Sequence, residues 1–273
     1  MPDQRADMLV HVRGLAPSRE KARALILAGL VFANGQKIEK PGQRIPEQAQ
    51  IHVAGSNGPS FVSRGGFKLL GAIEAMRVDF QGKVVLDVGA STGGFTDCAL
   101  QHGAARVYAV DVGYGQLDWR LRQDPRVRTI ERTNIRHVSP DLFPEKMDLA
   151  TVDVAFISLR LVLPVIANLL TDEGEIVALV KPQFEAGREQ VGKKGVVKDP
   201  AVHLEVLRKV MDEAGECGLT VLNACYSPIK GPHGNIEFFL HLKRHNSARE
   251  VRIDLSRLVA SAHESLADVK GGE

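Results

Sequence analysis

Seven short apolar runs after residue 60 constrain the fold of this chain more than any other feature. Strands that are apolar throughout and alternate with helices are typical of a parallel sheet covered on both faces. We therefore predict an α/β fold with a seven-stranded, mostly parallel sheet of the Rossmann type, which binds ligands at the carboxyl ends of its strands. The runs lie at residues 84–88, 107–110, 127–130, 149–152, 176–180, 219–224 and 236–242, and helical patterns lie near residues 66–79, 94–102, 158–170 and 200–215.

The N-terminal residues have a different pattern, with two short helices and a hairpin. Met8, Leu9 and Val12 share one face of the first predicted helix. Ser18 offers a hydroxyl that caps the second helix. Asn34-Gly35 predicts a two-residue hairpin turn, because both residues tolerate positive φ angles.

A breaker-rich stretch separates this head from the rest of the chain. Residues 54–60 contain Gly, Ser, Asn and Pro, which favour loops. Residues 1–60 carry eight Lys and Arg against five Asp and Glu, whereas the whole chain has a net charge of only +2. A basic head on a near-neutral body indicates an anionic partner. We predict a small α+β domain over residues 1–57 and a catalytic domain over residues 58–273.

The cysteines and the apolar runs argue against several classes of protein. Cys98, Cys217 and Cys225 lack the spacing of a metal site or a disulfide framework, so we expect buried thiols. No apolar run reaches membrane-spanning length, and the N-terminus has no apolar signal core. We expect a cytoplasmic protein without a bound metal or a membrane contact, and the oligomeric state stays open.

The turn after the first apolar run carries glycines at G-x-x-x-G-G spacing. Glycines let the backbone approach a ligand closely, but this spacing matches neither the dinucleotide fingerprint nor a Walker A loop. Asp111 ends the second run, where an acid can accept hydrogen bonds from a ribose diol. Asn134 follows the third run, where its amide can read an adenine edge. This combination predicts S-adenosylmethionine, and the alternative is a plain strand-to-helix turn. The predicted cofactor-binding residues are Asp87, Gly89, Ser91, Thr92, Gly93, Gly94, Phe95, Asp111, Asn134 and Ile135.

Four ionisable residues are expected to meet at this edge of the sheet. Asp153 and Lys181 end the fourth and fifth runs, and Glu237 opens the last strand. Lys68 lies at the start of the helix before the first strand. Charges at the ends of apolar strands need partners, so the two lysines and two carboxylates can neutralise one another. Two purely structural ion pairs would explain the same residues.

As a catalytic group, these residues suit methyl transfer to a hydroxyl. A ribose 2′-hydroxyl must lose its proton as the methyl group moves, and Lys181 can accept or steer that proton. An exocyclic-amine methyltransferase would carry a Pro-Pro-aromatic sequence after residue 153, where this chain has Val154-Ala155-Phe156. A pyrimidine-carbon methyltransferase needs a cysteine near the fourth or fifth strand end, where the sequence has none. The sequence leaves open which residue is the general base.

Four segments resemble a known family, the haemolysin-like ribosomal RNA methyltransferases of the TlyA family. The catalytic half is similar to the FtsJ-type 2′-O-methyltransferases, whose Lys-Asp-Lys-Glu tetrad maps onto the four ionisable residues. The head resembles the alpha-L RNA-binding motif. The resemblance implies S-adenosylmethionine-dependent 2′-O-methylation of cytidine in ribosomal RNA, with ribosomal RNA or ribosomal subunits as partners. The matching segments are residues 62–69, 87–96, 110–117 and 180–185.

The basic head is expected to contact RNA phosphates, which would make binding sensitive to salt. A solvated charged face is the alternative. Ribose methylation within a helix needs an accessible or flipped-out nucleotide. Phe156 or Phe184 would stack on it, unless both rings pack into the core. The predicted RNA-binding residues are Arg13, Ser18, Arg19, Lys21, Arg23, Lys37, Lys40 and Arg64.

Two other functions are weighed against the enzymatic one. The family's older name suggests a membrane-active haemolysin, but the helix predicted within residues 250–267 carries mixed charges that suit docking onto the sheet. A non-catalytic RNA-binding factor in ribosome assembly would bind RNA without transferring a methyl group.

Overall fold

A computed structural model describes most of the chain and divides it into two units. The larger unit runs from Phe61 to Ser265, and the smaller contains the described residues up to Val53 together with Leu266 and Ala267. The predicted domain boundary between residues 57 and 58 lies outside the described residues. Those residues are 3–13, 15–16, 18–53, 61–244 and 252–267.

The described residues of the smaller unit form two helices and two small antiparallel sheets. Ser18 Oγ accepts a hydrogen bond from the backbone N–H of Lys21 at 3.1 Å, which confirms the predicted cap. Asn34 and Gly35 have φ angles of 48° and 71°, which confirms the hairpin turn. The elements are β1 (Asp3–Arg5) paired with β4 (Arg44–Pro46), β2 (Val31–Ala33) paired with β3 (Gln36–Lys37) and β5 (Ile51–Val53), α1 (Ala6–Val12) and α2 (Arg19–Leu27).

The buried face of α1 differs from the predicted one. Ala6, Leu9 and Val10 are buried in the core of the smaller unit. Met8 and Val12 are 41% and 69% exposed. Ala6, Leu9 and Val10 follow the i, i+3, i+4 spacing of one helix face, so burying them turns Met8 and Val12 toward solvent.

The larger unit contains the predicted seven-stranded sheet. Its spatial order is β11-β12-β10-β9-β6-β7-β8. β12 is antiparallel to both of its neighbours, and the other neighbouring strands are parallel. The strands are β6 (Val84–Val88), β7 (Arg106–Val110), β8 (Val127–Ile130), β9 (Met147–Val152), β10 (Leu170–Val180), β11 (Leu219–Tyr226) and β12 (Phe238–Arg244).

Helices connect these strands, and the four predicted helical stretches are all present. The prediction missed α5 and α7, because a helix of four or five residues is too short to show a periodic apolar face. No helix in the described ranges is long and apolar enough to span a membrane. The helices are α3 (Gly65–Met76), α4 (Gly94–Gln101), α5 (Trp119–Gln123), α6 (Leu163–Leu169), α7 (Pro182–Glu185), α8 (Pro200–Glu216) and α9 (Leu255–Ser265).

Candidate active site

The strand directions bring the predicted tetrad to one edge of the sheet. Asp153 and Lys181 directly follow β9 and β10, which are parallel neighbours. Glu237 directly precedes β12, and Val180 at the end of β10 pairs with Phe238 at the start of β12. Because β12 runs in the opposite direction, its first residue lies at the edge where the parallel strands end.

The four tetrad side chains form two close ion pairs. Lys68 Nζ lies 2.6 Å from Glu237 Oε2, with side-chain exposures of 9% and 0%. Lys181 Nζ lies 2.6 Å from Asp153 Oδ1, with side-chain exposures of 12% and 21%. Lys68 and Asp153 also line the same cleft, so one member of each pair borders a common space.

Two buried carboxylate oxygens of the tetrad lack a hydrogen-bond partner within the described residues, but one of them, Asp153 Oδ1, has Lys181 Nζ 2.6 Å away as its ion-pair partner. Glu237 Oε1 is buried and has no hydrogen-bond partner among the residues that the structure describes. A buried acceptor without a partner is costly, which favours a ligand donor at this place. A Cβ atom on Gly231 would lie 2.1 Å from this oxygen, so a side chain at position 231 would collide with it.

The larger of two clefts at this edge has a volume of about 420 Å³. Asp111 lines it, and its two carboxylate oxygens accept the backbone N–H groups of Ser91 and Gly113, each at 2.7 Å. Asn134 Oδ1 accepts the N–H of Arg136 at 3.1 Å, which leaves the amide nitrogen of Asn134 as a donor. Gly89, Ser91, Asp111, Asn134 and Ile135 of the predicted cofactor set line this cleft.

Gly89 is required where the glycine turn passes the end of β9. Its φ angle is 82°, and a Cβ atom would lie 2.5 Å from the carbonyl oxygen of Asp153. Any other residue would therefore push the turn away from Asp153. The close approach joins the cofactor turn to one residue of the tetrad.

The smaller cleft has a volume of about 190 Å³ and shares Gly89, Ser91 and Asp153 with the larger one. Thr92, Gly94 and Phe95 of the predicted cofactor set also line it. The cofactor and tetrad predictions thus meet where the two clefts adjoin.

Several lining residues were absent from the predicted cofactor set. Ser63 and Lys230 line the smaller cleft, and Gln116 and Thr133 line the larger one. Ser63 and Gln116 lie in the segments that carry the family resemblance. Thr133 directly precedes Asn134, whereas Lys230 comes from a distant loop that no local pattern singles out.

Asp87 and Gly93 line neither of these clefts. Asp87 is fully buried, and its oxygens accept the hydroxyls of Thr96 at 2.6 Å and Thr151 at 2.9 Å. Burial raises the pKa of Asp87 to about 6. A Cβ atom on Gly93 would meet the side chains of Leu117 and Leu121 rather than the cleft. Both residues therefore pack against the side of the glycine turn that faces away from the two clefts.

An aromatic pair lies beside the tetrad. The rings of Phe156 and Phe184 have centroids 4.9 Å apart, and Lys181 Nζ lies 6.0 Å from the Phe184 ring centroid. Phe156 is 90% exposed and has a φ angle of 63°. Core packing therefore does not explain Phe156, whose ring borders the larger cleft.

The predicted RNA-binding residues divide into free and structurally engaged side chains. Arg13 donates to the backbone carbonyls of Glu47 and Ala49, and Arg19 donates to Asp7 at 3.2 Å. Arg64, in the larger unit, donates to the carbonyl of Lys230 at 2.9 Å and lines the smaller cleft. Arg13 and Arg19 are exposed all the same, and the exposed members of the set in the smaller unit whose side chains have no hydrogen bond or ion pair within the described residues are Lys21, Arg23, Lys37 and Lys40.

Comparison with known proteins gives two family matches. The model of FtsJ-like methyltransferases matches residues 61–244, and the model of the S4 domain matches residues 4–51. YqxC from Bacillus subtilis, described as a candidate rRNA methyltransferase, is 48% identical over 98% of this chain and 96% of its own length. The 16S/23S rRNA (cytidine-2′-O)-methyltransferase TlyA from Mycobacterium tuberculosis is 45% identical over 88% of this chain and 89% of its own length.

A solved structure extends the similarity to nearly the whole chain. It is a protein from Streptococcus thermophilus described as a candidate hemolysin. The two chains are 45% identical and superpose with a TM-score of 0.76 over 97% of each chain.

Proposed function

The chain belongs to the family of FtsJ-like methyltransferases, and from this premise we propose that it transfers a methyl group to the 2′-hydroxyl of a cytidine ribose in ribosomal RNA. Its cofactor is S-adenosylmethionine. Family membership favours an enzyme over a membrane-active haemolysin or a non-catalytic assembly factor. The observation that carries the proposal is that the Asp153–Lys181 pair adjoins the cofactor turn at Gly89.

The larger cleft suits the adenosine part of the donor. Asp111 would accept ribose hydroxyls, and the amide nitrogen of Asn134 would donate to a ring nitrogen of the adenine. Arg64 and Lys230, at the smaller cleft, would neutralise the carboxylate of the methionine part. The bound donor supplies an electrophilic methyl group on a sulfonium sulfur.

The tetrad would act on the acceptor hydroxyl. Lys181 would contact the 2′-oxygen and accept or steer its proton as the new oxygen–carbon bond forms and the bond between the methyl group and the donor sulfur breaks, with the donor leaving as a neutral thioether. Asp153 orients the Lys181 side chain through their 2.6 Å contact. Glu237, held by Lys68 at 2.6 Å, would take a further hydrogen bond from the acceptor with its second oxygen, Oε1.

Phe156 would stack on the base of the acceptor nucleotide. A nucleotide that is methylated on its ribose must leave the RNA stack, and an exposed aromatic ring replaces the lost stacking. We expect Phe156→Ala to raise KM for the RNA about tenfold, from a loss of about 1 to 3 kcal/mol of stacking. Donor affinity, measured by calorimetric titration, should fall by a smaller factor than the KM for RNA rises, because Phe156 also borders the larger cleft.

The smaller unit would supply RNA affinity that does not depend on sequence. Lys21, Arg23, Lys37 and Lys40 are exposed and available to phosphates. In this proposal residues 1–57 form an RNA-binding domain and residues 58–273 form the catalytic domain. We propose a cytoplasmic location on the same ground, since a ribosomal RNA substrate would be met there.

The test is labelled-methyl transfer to purified, unmodified small and large ribosomal subunits, followed by mapping of the modified nucleotides. We expect the label on cytidine 2′-oxygens, in one subunit or both. Label on a base, or no transfer by a folded protein that binds the donor, would contradict the proposal. Lysis of cells by the purified protein that persists in Lys181→Ala would favour the haemolysin instead.

A further inference from the structure

Two chain segments lie side by side next to the tetrad. One is residues 153–159, which follow β9, and the other is residues 181–185, which follow β10. They meet at the Asp153–Lys181 ion pair and at the Phe156–Phe184 ring contact. A third contact, made by Glu185, has no part in the proposed chemistry.

Glu185 joins the two segments through both of its carboxylate oxygens. Oε2 accepts the hydroxyl of Ser158 at 2.7 Å, and Oε1 accepts the backbone N–H of Leu159 at 2.8 Å. Glu185 is only 5% exposed. Its own backbone is held by Lys209, whose Nζ donates to the Glu185 carbonyl at 3.0 Å. Because both side-chain partners are donors, an ionised carboxylate satisfies them fully.

The strained backbone at Phe156 depends on anchors at both of its ends. Phe156 has a φ angle of 63°, a conformation that side chains other than glycine adopt only when their surroundings impose it. On one side, the backbone N–H of Asp153 donates to the carbonyl of Val88 at 2.9 Å and ties the segment to the sheet. On the other side, the anchors are the contact of Glu185 with Ser158 and Leu159 and the burial of the Leu159 side chain.

We infer that Glu185 is a positioning residue for the RNA acceptor, because it holds the segment that presents Phe156 and Asp153 beside Lys181. The inference rests on the proposed function, in which the acceptor nucleotide stacks on Phe156. Glu185 does not line either cleft at this edge, whereas residues 153–157 of the segment that it holds line the larger one. Its loss should therefore impair the use of RNA most, and donor binding only through the displaced segment.

Hydrogen exchange in the donor-free protein tests the contact itself. In Glu185→Ala the amide of Leu159 loses its acceptor, and we expect it to exchange about tenfold faster or more. Ser158→Ala removes one of the two contacts with Glu185, together with the hydrogen bond from the Arg160 N–H to Ser158 Oγ at 3.2 Å, but leaves the acceptor of Leu159 in place and should give a smaller increase. Glu216→Gln is the matched control, since Glu216 is exposed at the end of α8 and should leave exchange at Leu159 unchanged. Unchanged exchange in Glu185→Ala would overturn the inference.

Kinetics on ribosomal subunits test the functional role. We expect Glu185→Ala to lower kcat/KM for the subunits about 10- to 100-fold, as a small misplacement of an acceptor group does. The Kd for the donor should rise by a smaller factor than kcat/KM falls, since Glu185 itself lines neither cleft and acts on the larger one only through residues 153–157. Glu185→Gln keeps one acceptor oxygen and should fall between Glu185→Ala and the unaltered protein.

A double-mutant cycle separates positioning from general destabilisation. If Glu185 acts through Phe156, adding Glu185→Ala to Phe156→Ala should cost clearly less than Glu185→Ala costs alone. Equal losses in both backgrounds would show an independent structural role and overturn the inference. If Glu185→Ala does not fold, Glu185→Gln and Ser158→Ala take its place in the cycle.

The two proposals fail in different ways. If the unaltered protein transfers no methyl group to RNA, the proposed function fails, and the exchange measurement alone decides whether Glu185 holds the segment. If transfer occurs but the cycle is additive, the proposed function stands and the role of Glu185 is wrong.

Discussion

The two ends of the seven-stranded sheet both carry lysine–carboxylate contacts, yet they differ in what surrounds them. At the carboxyl end of β9 and β10, Lys181 pairs with Asp153 at 2.6 Å. At the amino end of β6, Lys83 Nζ and His241 Nε2 each lie 3.3 Å from Glu175 Oε2. Close opposite charges are thus common to both ends and do not by themselves identify a site.

The difference lies in how completely each cluster is satisfied. Glu175 accepts from two donors, and chiefly the hydrogen bond from His241 lowers its pKa to about 2. Glu237 in the tetrad keeps a buried oxygen without a hydrogen-bond partner in the described part of the chain. The tetrad also borders a turn that needs glycine at position 89. An unpaired hydrogen-bond acceptor close to the glycine turn therefore distinguishes a candidate site from an ion cluster that only stabilises the fold.

We expect the largest difference between the two ends of the sheet when one lysine is removed from each. We expect Lys181→Ala to lower the rate of methyl transfer about 10²- to 10⁴-fold, the usual contribution of a group that handles the proton. Lys83→Ala should leave the rate unchanged and reduce the free energy of unfolding by about 1 kcal/mol or less. Labelled-methyl transfer at saturating donor and urea unfolding measure the two effects. Equal activity of the two variants would remove the distinction between the ends.

Glycine-to-alanine changes at the two ends of β6 sharpen the comparison. Gly82 and Gly89 have similar positive φ angles of 71° and 82°. A Cβ atom at Gly82 would meet nothing within 4 Å, whereas one at Gly89 would lie 2.5 Å from the Asp153 carbonyl.

Gly82→Ala therefore adds only backbone strain and should cost about 1 kcal/mol of unfolding free energy. Gly89→Ala introduces similar backbone strain and, in addition, a collision between the new Cβ atom and the Asp153 carbonyl. It should cost about 3 kcal/mol of unfolding free energy and weaken donor binding. Urea unfolding and calorimetric titration of the donor measure both variants. A Gly89→Ala protein with unaltered donor affinity would show that the close approach to Asp153 is not needed for the cofactor site.

The positions of the strands and the meeting of the four tetrad residues could be predicted from the sequence, because both follow from where the apolar runs begin and end. Apolar runs mark the strands, and residues that follow parallel strands gather at one edge. Asp111 and Asn134 could be placed in this way without knowledge of their neighbours. Glu237 was predicted there because it opens the last strand, and the antiparallel direction of β12, which has no local signature in an apolar strand, brings it to the same edge.

Other parts of the site depend on packing that the sequence does not display. Asp87 and Gly93 lie within the glycine segment, but their surroundings are set by Thr151 on β9 and by Leu117 and Leu121 near α5. Lys230 reaches the smaller cleft from a loop far along the chain. The sequence also did not reveal that Phe156 is exposed, because an aromatic residue after an apolar strand is equally typical of the core.

The pH dependence of stability should have opposite signs at the two ends. Glu175 has its pKa lowered from 4.5 to about 2, so it stabilises the fold fully above pH 4.5 and this stabilisation is lost as the pH falls toward 2. Asp87 has its pKa raised from 3.8 to about 6, so the fold prefers its protonated form and stability falls as the pH rises from about 4 to 6.

We expect the decline due to Asp87 to amount to about 3 kcal/mol and the loss due to Glu175 to about 2 kcal/mol by pH 3, since one pKa unit corresponds to about 1.4 kcal/mol. Glu175→Gln should abolish the acid loss, and Asp87→Asn should abolish the decline between pH 4 and 6. Urea unfolding from pH 3 to 7 measures both variants against the unaltered protein. If Asp87→Asn leaves the decline in place, burial of the ionised Asp87 carboxylate does not destabilise the fold. The two ends of the sheet would then differ only in the glycine turn at Gly89 and in the unpaired Oε1 of Glu237.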